Sequence, residues 1–148
     1  MPSILVVNGP NLGRLGSREP EIYGSQSLAD IEKTLVGAYG ADVSLRFEQT
    51  DDEAEMIGFL HTAVDEKMAV VINPAAFTHY SYALRDACAM VTAAGLMLVE
   101  VHLSNPHARE EFRHRSVISG VAHGVIAGFG PDSYRLAIDY IVNHGKGN

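Results

Sequence analysis

Two segments of this chain, Ser3-Ile4-Leu5-Val6-Val7 and Ala69-Val70-Val71-Ile72, are aliphatic at nearly every position and then stop at Asn8-Gly9-Pro10-Asn11 and Asn73-Pro74. A strand with one wet face alternates apolar and polar residues. A strand that is apolar throughout is covered on both faces, which in a globular domain means a parallel sheet with helices above and below it. Leu96-Met97-Leu98-Val99-Glu100-Val101-His102 reads as another such strand ending in polar residues, and Gly124-Val125-Ile126-Ala127-Gly128 as the last. Val43-Ser44-Leu45-Arg46-Phe47 alternates, as a half-buried or edge strand does.

Between these runs the apolar spacing changes to that of helices. A helix is expected from about Ser27, with Leu28, Ile31 and Leu35 on one face and Gly40 as its stop. Asp51 or Asp52 caps a second, which carries Met56, Phe59, Leu60 and Val64. The alanine-rich segment 81–94 is a third, closed by Gly95, and Asp132 or Ser133 caps a fourth that includes Leu136, Ile138 and Ile141. Strand and helix alternate with no repeat and no low-complexity linker, so the expected class is α/β, a doubly wound five-stranded parallel sheet with right-handed crossovers. The flavodoxin-like strand order 2-1-3-4-5 suits five such strands, and 148 residues suit a single domain, 1–148.

Composition narrows the function classes. A formal net charge of -7 argues against a general binder of nucleic acid or of anionic membrane. No apolar run approaches the ~20 residues needed to cross a bilayer. Met1-Pro2-Ser3-Ile4 has no basic segment, so no signal peptide is expected and a cytoplasmic location is the default. Cys88 is the only cysteine, which leaves neither an internal disulfide nor a cysteine metal cage. His102 and His107 are separated by a Ser-Asn-Pro turn without a second close pair, so no metal site is expected. Against this acidic background Arg14, Arg18, Arg109, Arg113 and Arg115 fall in two short windows, as they would around a local anion site.

In open parallel sheets ligands bind beyond the carboxyl ends of the strands, where strand order reverses. In the expected order that point lies between the first and third strands. The loops leaving them are 8–23 and 73–79, with 102–113 alongside. They carry Asn11, Arg18, Tyr23, Asn73, His79, His102, Ser104, Asn105, Arg109 and Arg113. The first loop is longer than most strand-to-helix connections, as a lid would be, with Gly13, Gly16 and Gly24 as candidate hinges. It lacks the Gly-Lys-Ser/Thr of a P-loop, and the late GVIAGFGPDS lacks the third glycine of a dinucleotide fingerprint. A phospho-receiver would need acids where this chain has Asn8, Asn11 and Asn73. These residues leave open an acid–base enzyme on a hydroxy-keto acid, such as quinate or a simpler sugar acid, and a flavodoxin-like module binding a nucleotide or flavin.

Taken in order, the segments resemble the type II dehydroquinases along nearly the whole chain. The matching residues are Asn8-Gly9-Pro10-Asn11-Leu12-Gly13, Arg18-Glu19-Pro20, Tyr23-Gly24, Asn73-Pro74, Thr78-His79, Ser81 and Ala83-Leu84-Arg85-Asp86-Ala87. They continue with Glu100-Val101-His102-Leu103-Ser104-Asn105 and Arg109-Glu110-Glu111-Phe112-Arg113. The resemblance implies anti elimination of water from 3-dehydroquinate through an enolate, without Schiff base, metal or other cofactor. It implies Tyr23 as the base. A phenol ordinarily ionises near pH ~10, so holding one as phenolate at pH 7 costs about 4 kcal/mol, which a neighbouring guanidinium, here Arg18, partly offsets. Asn11 would hold a water or hydrogen-bond the developing enolate. His102 would protonate the leaving hydroxyl, and Glu100, two residues earlier on the same strand face, would orient its ring and favour its charged form.

The resemblance further implies Asn73 and Arg113 at ring hydroxyls, Leu103 and Ser104 at the carboxylate, and His79 and Asp86 as secondary contacts, with Asp86 supplied by a neighbouring subunit. Arg109 would steady the first loop, and the assembly would be a homododecamer, a tetramer of trimers. One position departs from the pattern: Asn73-Pro74-Ala75-Ala76 has Ala75 where the family usually has glycine. If that backbone needs positive φ, alanine costs about 1 kcal/mol or shifts the loop. Phe77 and Tyr80 are expected to add bulk near the site.

Overall fold

The computed structural model describes residues 1–17 and 19–145. Its five strands are β1 (Ser3–Asn8), β2 (Ser44–Gln49), β3 (Ala69–Asn73), β4 (Leu98–His102) and β5 (Gly124–Ala127), all parallel, in the order β2-β1-β3-β4-β5 expected from the sequence. The main helices are α2 (Leu28–Tyr39), α3 (Glu53–Asp65), α4 (Tyr82–Ala93) and α5 (Asp132–His144), and a four-residue helix, α1 (Pro20–Tyr23), lies within the first loop.

The uniform apolarity of β1 and β3 follows from their position. Ile4, Val6 and Val71 pack on Ile31 and Leu35 of α2 and on Tyr134 and Ile138 of α5. Leu5, Val7, Val70 and Ile72 face the other way, onto Met56 and Leu60 of α3 and Leu84 and Cys88 of α4. Each such side chain, once buried, contributes roughly 1.5–3 kcal/mol of transfer free energy. β2 is the half-buried edge that its alternation implied. Ser27 and Asp30 form a capping box at α2, and Asp52 and Ser81 cap α3 and α4 through their side chains.

β2 is shifted toward Gln49 relative to the expected Val43–Phe47, and three further differences from the sequence expectation have a backbone cause. β4 starts at Leu98 because the Leu96 N–H bonds back to Val91 O of α4 (3.3 Å), so residue 96 closes the helix instead of entering the sheet. β5 ends at Ala127 because Gly128 has φ 92°, which no extended strand accommodates. Neither Asp132 nor Ser133 caps α5. The N-cap position is Pro131, and Ser133 is fully buried with its hydroxyl accepting from Phe129 N at 3.3 Å.

The loops after β1 and β3 meet at Gly9, whose N–H donates to Asn73 O at 2.8 Å. A Cβ at this position would lie 2.5 Å from Pro74 O, so no larger residue fits the seam. The first loop also closes on itself at Gly16 (φ 97°), whose Cβ position lies 3.2 Å from the backbones of Ser25 and Ser27. Gly13, by contrast, has no positive φ and lies against Gln49.

Candidate active site

The register of the sheet sets the floor of the site. Asn8 of β1 lies level with Asn73 of β3, so the two strand-end asparagines are neighbours. Beside them, β4 delivers His102 to the same edge. Above this floor is a cavity of about 160 Å³. Asn11, Tyr23, Asn73 and His79 line it, together with His102, Leu103, Ser104 and Arg113. These are eight of the residues expected at the site, drawn from three separate loops. Arg109 lines it too, and among the described residues no carboxylate does. The cavity is thus a cationic recess in a chain of net charge -7, suited to an anionic ligand.

Arg18 lies outside the described residues. Of the other clustered arginines, Arg109 and Arg113 reach the cavity, whereas Arg14 and Arg115 do not line it. Asp86 is on the exposed face of α4, paired with Arg85 at 3.1 Å, and does not line the cavity of its own chain. Phe77 is buried in the core beneath, and Tyr80 is 58% exposed and packed edge-on against it. Neither lines the cavity, so the added bulk expected there is directed elsewhere.

The Tyr23 ring lies under the Arg109 guanidinium, 5.1 Å from ring centroid to Cζ. Arg109 also donates from Nη1 to Ser104 Oγ at 3.4 Å, so that it joins the Tyr23 ring of the first loop to the segment after β4. Arg113 is braced from behind by Glu110, through Nε to Oε1 at 3.0 Å, and stacks over Phe112 at 4.6 Å. Asn11 has φ 70°, a left-handed conformation that asparagine tolerates, and its backbone N–H donates to Asp51 Oδ1 at 2.9 Å.

The Nε2 of His102 contacts Glu100 Oε2 at 2.5 Å, and Glu100 is 1% exposed. With Nε2 committed to the carboxylate, Nδ1 is the nitrogen left for a ligand. Ser116 and Ser119 complete the surroundings of the carboxylate: Ser116 Oγ is 3.2 Å from both Glu100 oxygens, and Ser119 Oγ is 2.7 Å from Oε1. His79 donates from Nδ1 to Arg115 O at 2.8 Å. Burial, and to a lesser degree the charges of His102 and Arg113, lower its pKa against the opposing effect of that hydrogen bond, which leaves Nε2 as an acceptor at pH 7.

Asn73 is engaged more fully than a simple substrate contact would be. Its Nδ2 donates to Tyr134 Oη (2.9 Å), Tyr134 donates to Asn8 Oδ1 (2.6 Å), and Asn8 Nδ2 donates to Glu48 O (3.1 Å). All three side chains of this relay are buried, and burial raises the Tyr134 phenol well above its ordinary pKa, so it stays a neutral donor. Tyr134→Phe strands a donor of Asn73 and an acceptor of Asn8, and should destabilise the fold by about 1–3 kcal/mol in urea titration.

Asn73 Oδ1 accepts from Ala75 N at 3.2 Å, and Ala75 has φ 52°. The positive φ that the glycine preference implied is present, and alanine bears its strain. Ala75→Gly is expected to stabilise the fold by about 1 kcal/mol, read as a higher urea midpoint with unchanged slope.

The residues that sequence reasoning missed are Ser116, Ser119, Asn8 as a relay member and Tyr134. A hydroxyl pair three positions apart is a local signal of a turn, but nothing local points to Glu100 as its partner.

Comparison with known proteins agrees along the chain. The family described as Dehydroquinase class II matches residues 2–142. A 3-dehydroquinate dehydratase of Bacillus licheniformis is 54% identical over 144 residues, covering 97% of each chain. Among solved structures, the type II dehydroquinase from Propionibacterium acnes superposes with TM-score 0.88 at 47% identity, covering 97% of each chain. That from Butyrivibrio crossotus superposes with TM-score 0.90 at 40% identity, covering 96% of this chain and 97% of its own. On both the sequence and the fold, the chain belongs to the class II dehydroquinase family.

Proposed function

We propose that this chain catalyses the reversible anti elimination of water from 3-dehydroquinate to give 3-dehydroshikimate, a step of the shikimate pathway of aromatic amino acid biosynthesis. The observation that carries this reading is the convergence of Tyr23, Asn11, His102, Ser104, Arg109 and Arg113 on one cavity that no carboxylate of the described residues lines. Its volume of about 160 Å³ suits a single small ring and is too small for a flavin or dinucleotide.

In this reading Tyr23 as phenolate removes the proton beside the ketone, and the electron pair moves to the ketone oxygen as an enolate. Arg109 stacks over its ring and holds it at the cavity, and Arg18 is the guanidinium that the family resemblance assigns to the base. Asn11 hydrogen-bonds the enolate directly or through a water. Collapse of the enolate forms the carbon–carbon double bond and expels the hydroxyl, which takes a proton from His102 Nδ1 and leaves as water. The proton held by Tyr23 then passes to solvent as His102 is recharged, and the enzyme returns to its starting state. Glu100 fixes the His102 ring throughout. Asn73, His79 and Arg113 hold ring hydroxyls, and Leu103 and Ser104 receive the carboxylate.

Asp86 reaches no site in its own chain, and its role as a substrate contact fits a homododecamer in which a neighbour supplies it. A monomer mass by light scattering would refute that assembly. A cytoplasmic location is part of this reading; separately, among the described residues no helix is long and apolar enough to cross a membrane. The reaction is tested by mixing the purified protein with 3-dehydroquinate and following the ultraviolet absorbance of the conjugated enone. A rise expected within seconds at micromolar enzyme supports the assignment, and its absence overturns it.

A further inference from the structure

The turn formed by residues 115–119 makes no appearance in the proposed chemistry, yet it touches three parts of the site. Arg115 O receives the Nδ1 hydrogen of His79. Val117 N donates to Thr78 O at 2.8 Å, which fastens the turn to the 3-10 segment Ala75–His79. Ser116 and Ser119 both donate to Glu100.

The hydrogen-bond geometry leaves these hydroxyls little choice. Ser116 Oγ accepts from Ile118 N and Ser119 N, each at 3.0 Å, so its lone pairs are occupied and its one proton is directed to Glu100. Ser119 directs its proton to Oε1 of the same carboxylate. Glu100 then has donors on both oxygens: His102 and Ser116 on Oε2, Ser119 and Ser116 on Oε1. A carboxylate at 1% exposure is tolerable only when its oxygens are satisfied in this way. The arrangement also fixes the plane of the carboxylate, and a fixed plane fixes the imidazole that bonds to it.

We infer that Ser116 and Ser119 are positioning residues for the acid: they hold Glu100 in the one orientation that directs His102 Nδ1 into the cavity. This deepens the elimination mechanism and rests on it for its kinetic consequence, though not for its structural one. Two further titratable groups within the electrostatic reach of Glu100 are His79 and, from α4, Cys88. Cys88 is buried with its thiol pushed up to about 12, so it stays neutral and offers the carboxylate no competing charge.

The test compares wild type, Ser119→Ala, Ser119→Thr, Glu100→Gln and the Ser119→Ala/Glu100→Gln double variant. In wild type the short bond from His102 Nε2 should give a far-downfield imidazole proton resonance in water. That resonance should be lost in Glu100→Gln, move upfield in Ser119→Ala, and return in Ser119→Thr, which keeps the hydroxyl. With 3-dehydroquinate, Ser119→Ala should lower kcat about tenfold at unchanged KM, because a hydrogen bond to a charged group is lost. In the Glu100→Gln background the same change should cost less than about twofold, since the charge is already gone. An unmoved resonance in Ser119→Ala overturns the inference whether or not the protein turns over substrate. Equal kcat losses in both backgrounds, or a loss confined to KM, overturn it as well. Absent turnover with a shifted resonance keeps the positioning role and overturns the proposed reaction instead.

Discussion

Tyr23→Phe is expected to lower kcat for 3-dehydroquinate by about 10²- to 10⁴-fold while leaving the protein folded. The separation follows from what phenylalanine retains. The ring still offers a face to the Arg109 guanidinium, so the contact that joins the first loop to the segment after β4 persists. Only the oxygen is removed, and with it the group that accepts the proton. Stopped absorbance assays at the enone band, run beside thermal denaturation, measure both quantities on one preparation. Turnover within about threefold of wild type would keep the activity but remove Tyr23 as base. A large stability loss would mean that the hydroxyl serves the fold.

His102→Ala should lose activity to a similar degree and, unlike the tyrosine variant, should also destabilise the fold by about 3 kcal/mol. Its partner is the reason. Glu100 is 1% exposed, and removing the imidazole leaves a buried carboxylate with its serine donors alone. His102→Gln distinguishes the two effects, because its amide can donate to Glu100 but cannot protonate a leaving hydroxyl near neutral pH. It should recover much of the urea midpoint and none of the turnover. Equal midpoints for the alanine and glutamine variants would mean that water replaces the imidazole at Glu100 without penalty.

The architecture was legible in the sequence because burial on two faces leaves an unambiguous mark. The runs Ile4-Leu5-Val6-Val7 and Ala69-Val70-Val71-Ile72 place β1 and β3 at the centre of the sheet, and the loops that leave them meet where strand order reverses. The boundaries were less legible where backbone hydrogen bonding competes with side-chain pattern. Leu96 is as apolar as any strand residue, but its N–H closes α4. Ser133 is a good cap by residue type, but it is buried and accepts from Phe129.

At the site, residues next to strand ends were found readily, since their position follows from the strand itself. Ser116, Ser119 and Tyr134 were not, because each acts on a partner far along the chain: Glu100 is 16 residues before Ser116, and Asn8 is 126 before Tyr134. Charge clustering was informative about the neighbourhood and misleading about individuals. Arg14 and Arg115 share windows with Arg18, Arg109 and Arg113, yet neither lines the cavity. Ala75 shows the opposite case, in which an amino-acid preference correctly foretold a backbone angle.

The backbone contact at Gly9 bears on how this pocket could be redesigned. With Pro74 O 2.5 Å from where a Cβ would be, the rim between the asparagines cannot be widened by substitution without parting β1 from β3. Space for a bulkier ring must come from the rim where Arg109 meets Tyr23 and Ser104, since the Arg109 and Ser104 side chains can be shortened while the base is kept. Libraries aimed at new substrates should therefore vary Ser104 and Arg109 on that rim, retain Tyr23 as the base, and leave residues 8–10 and 73–75 untouched.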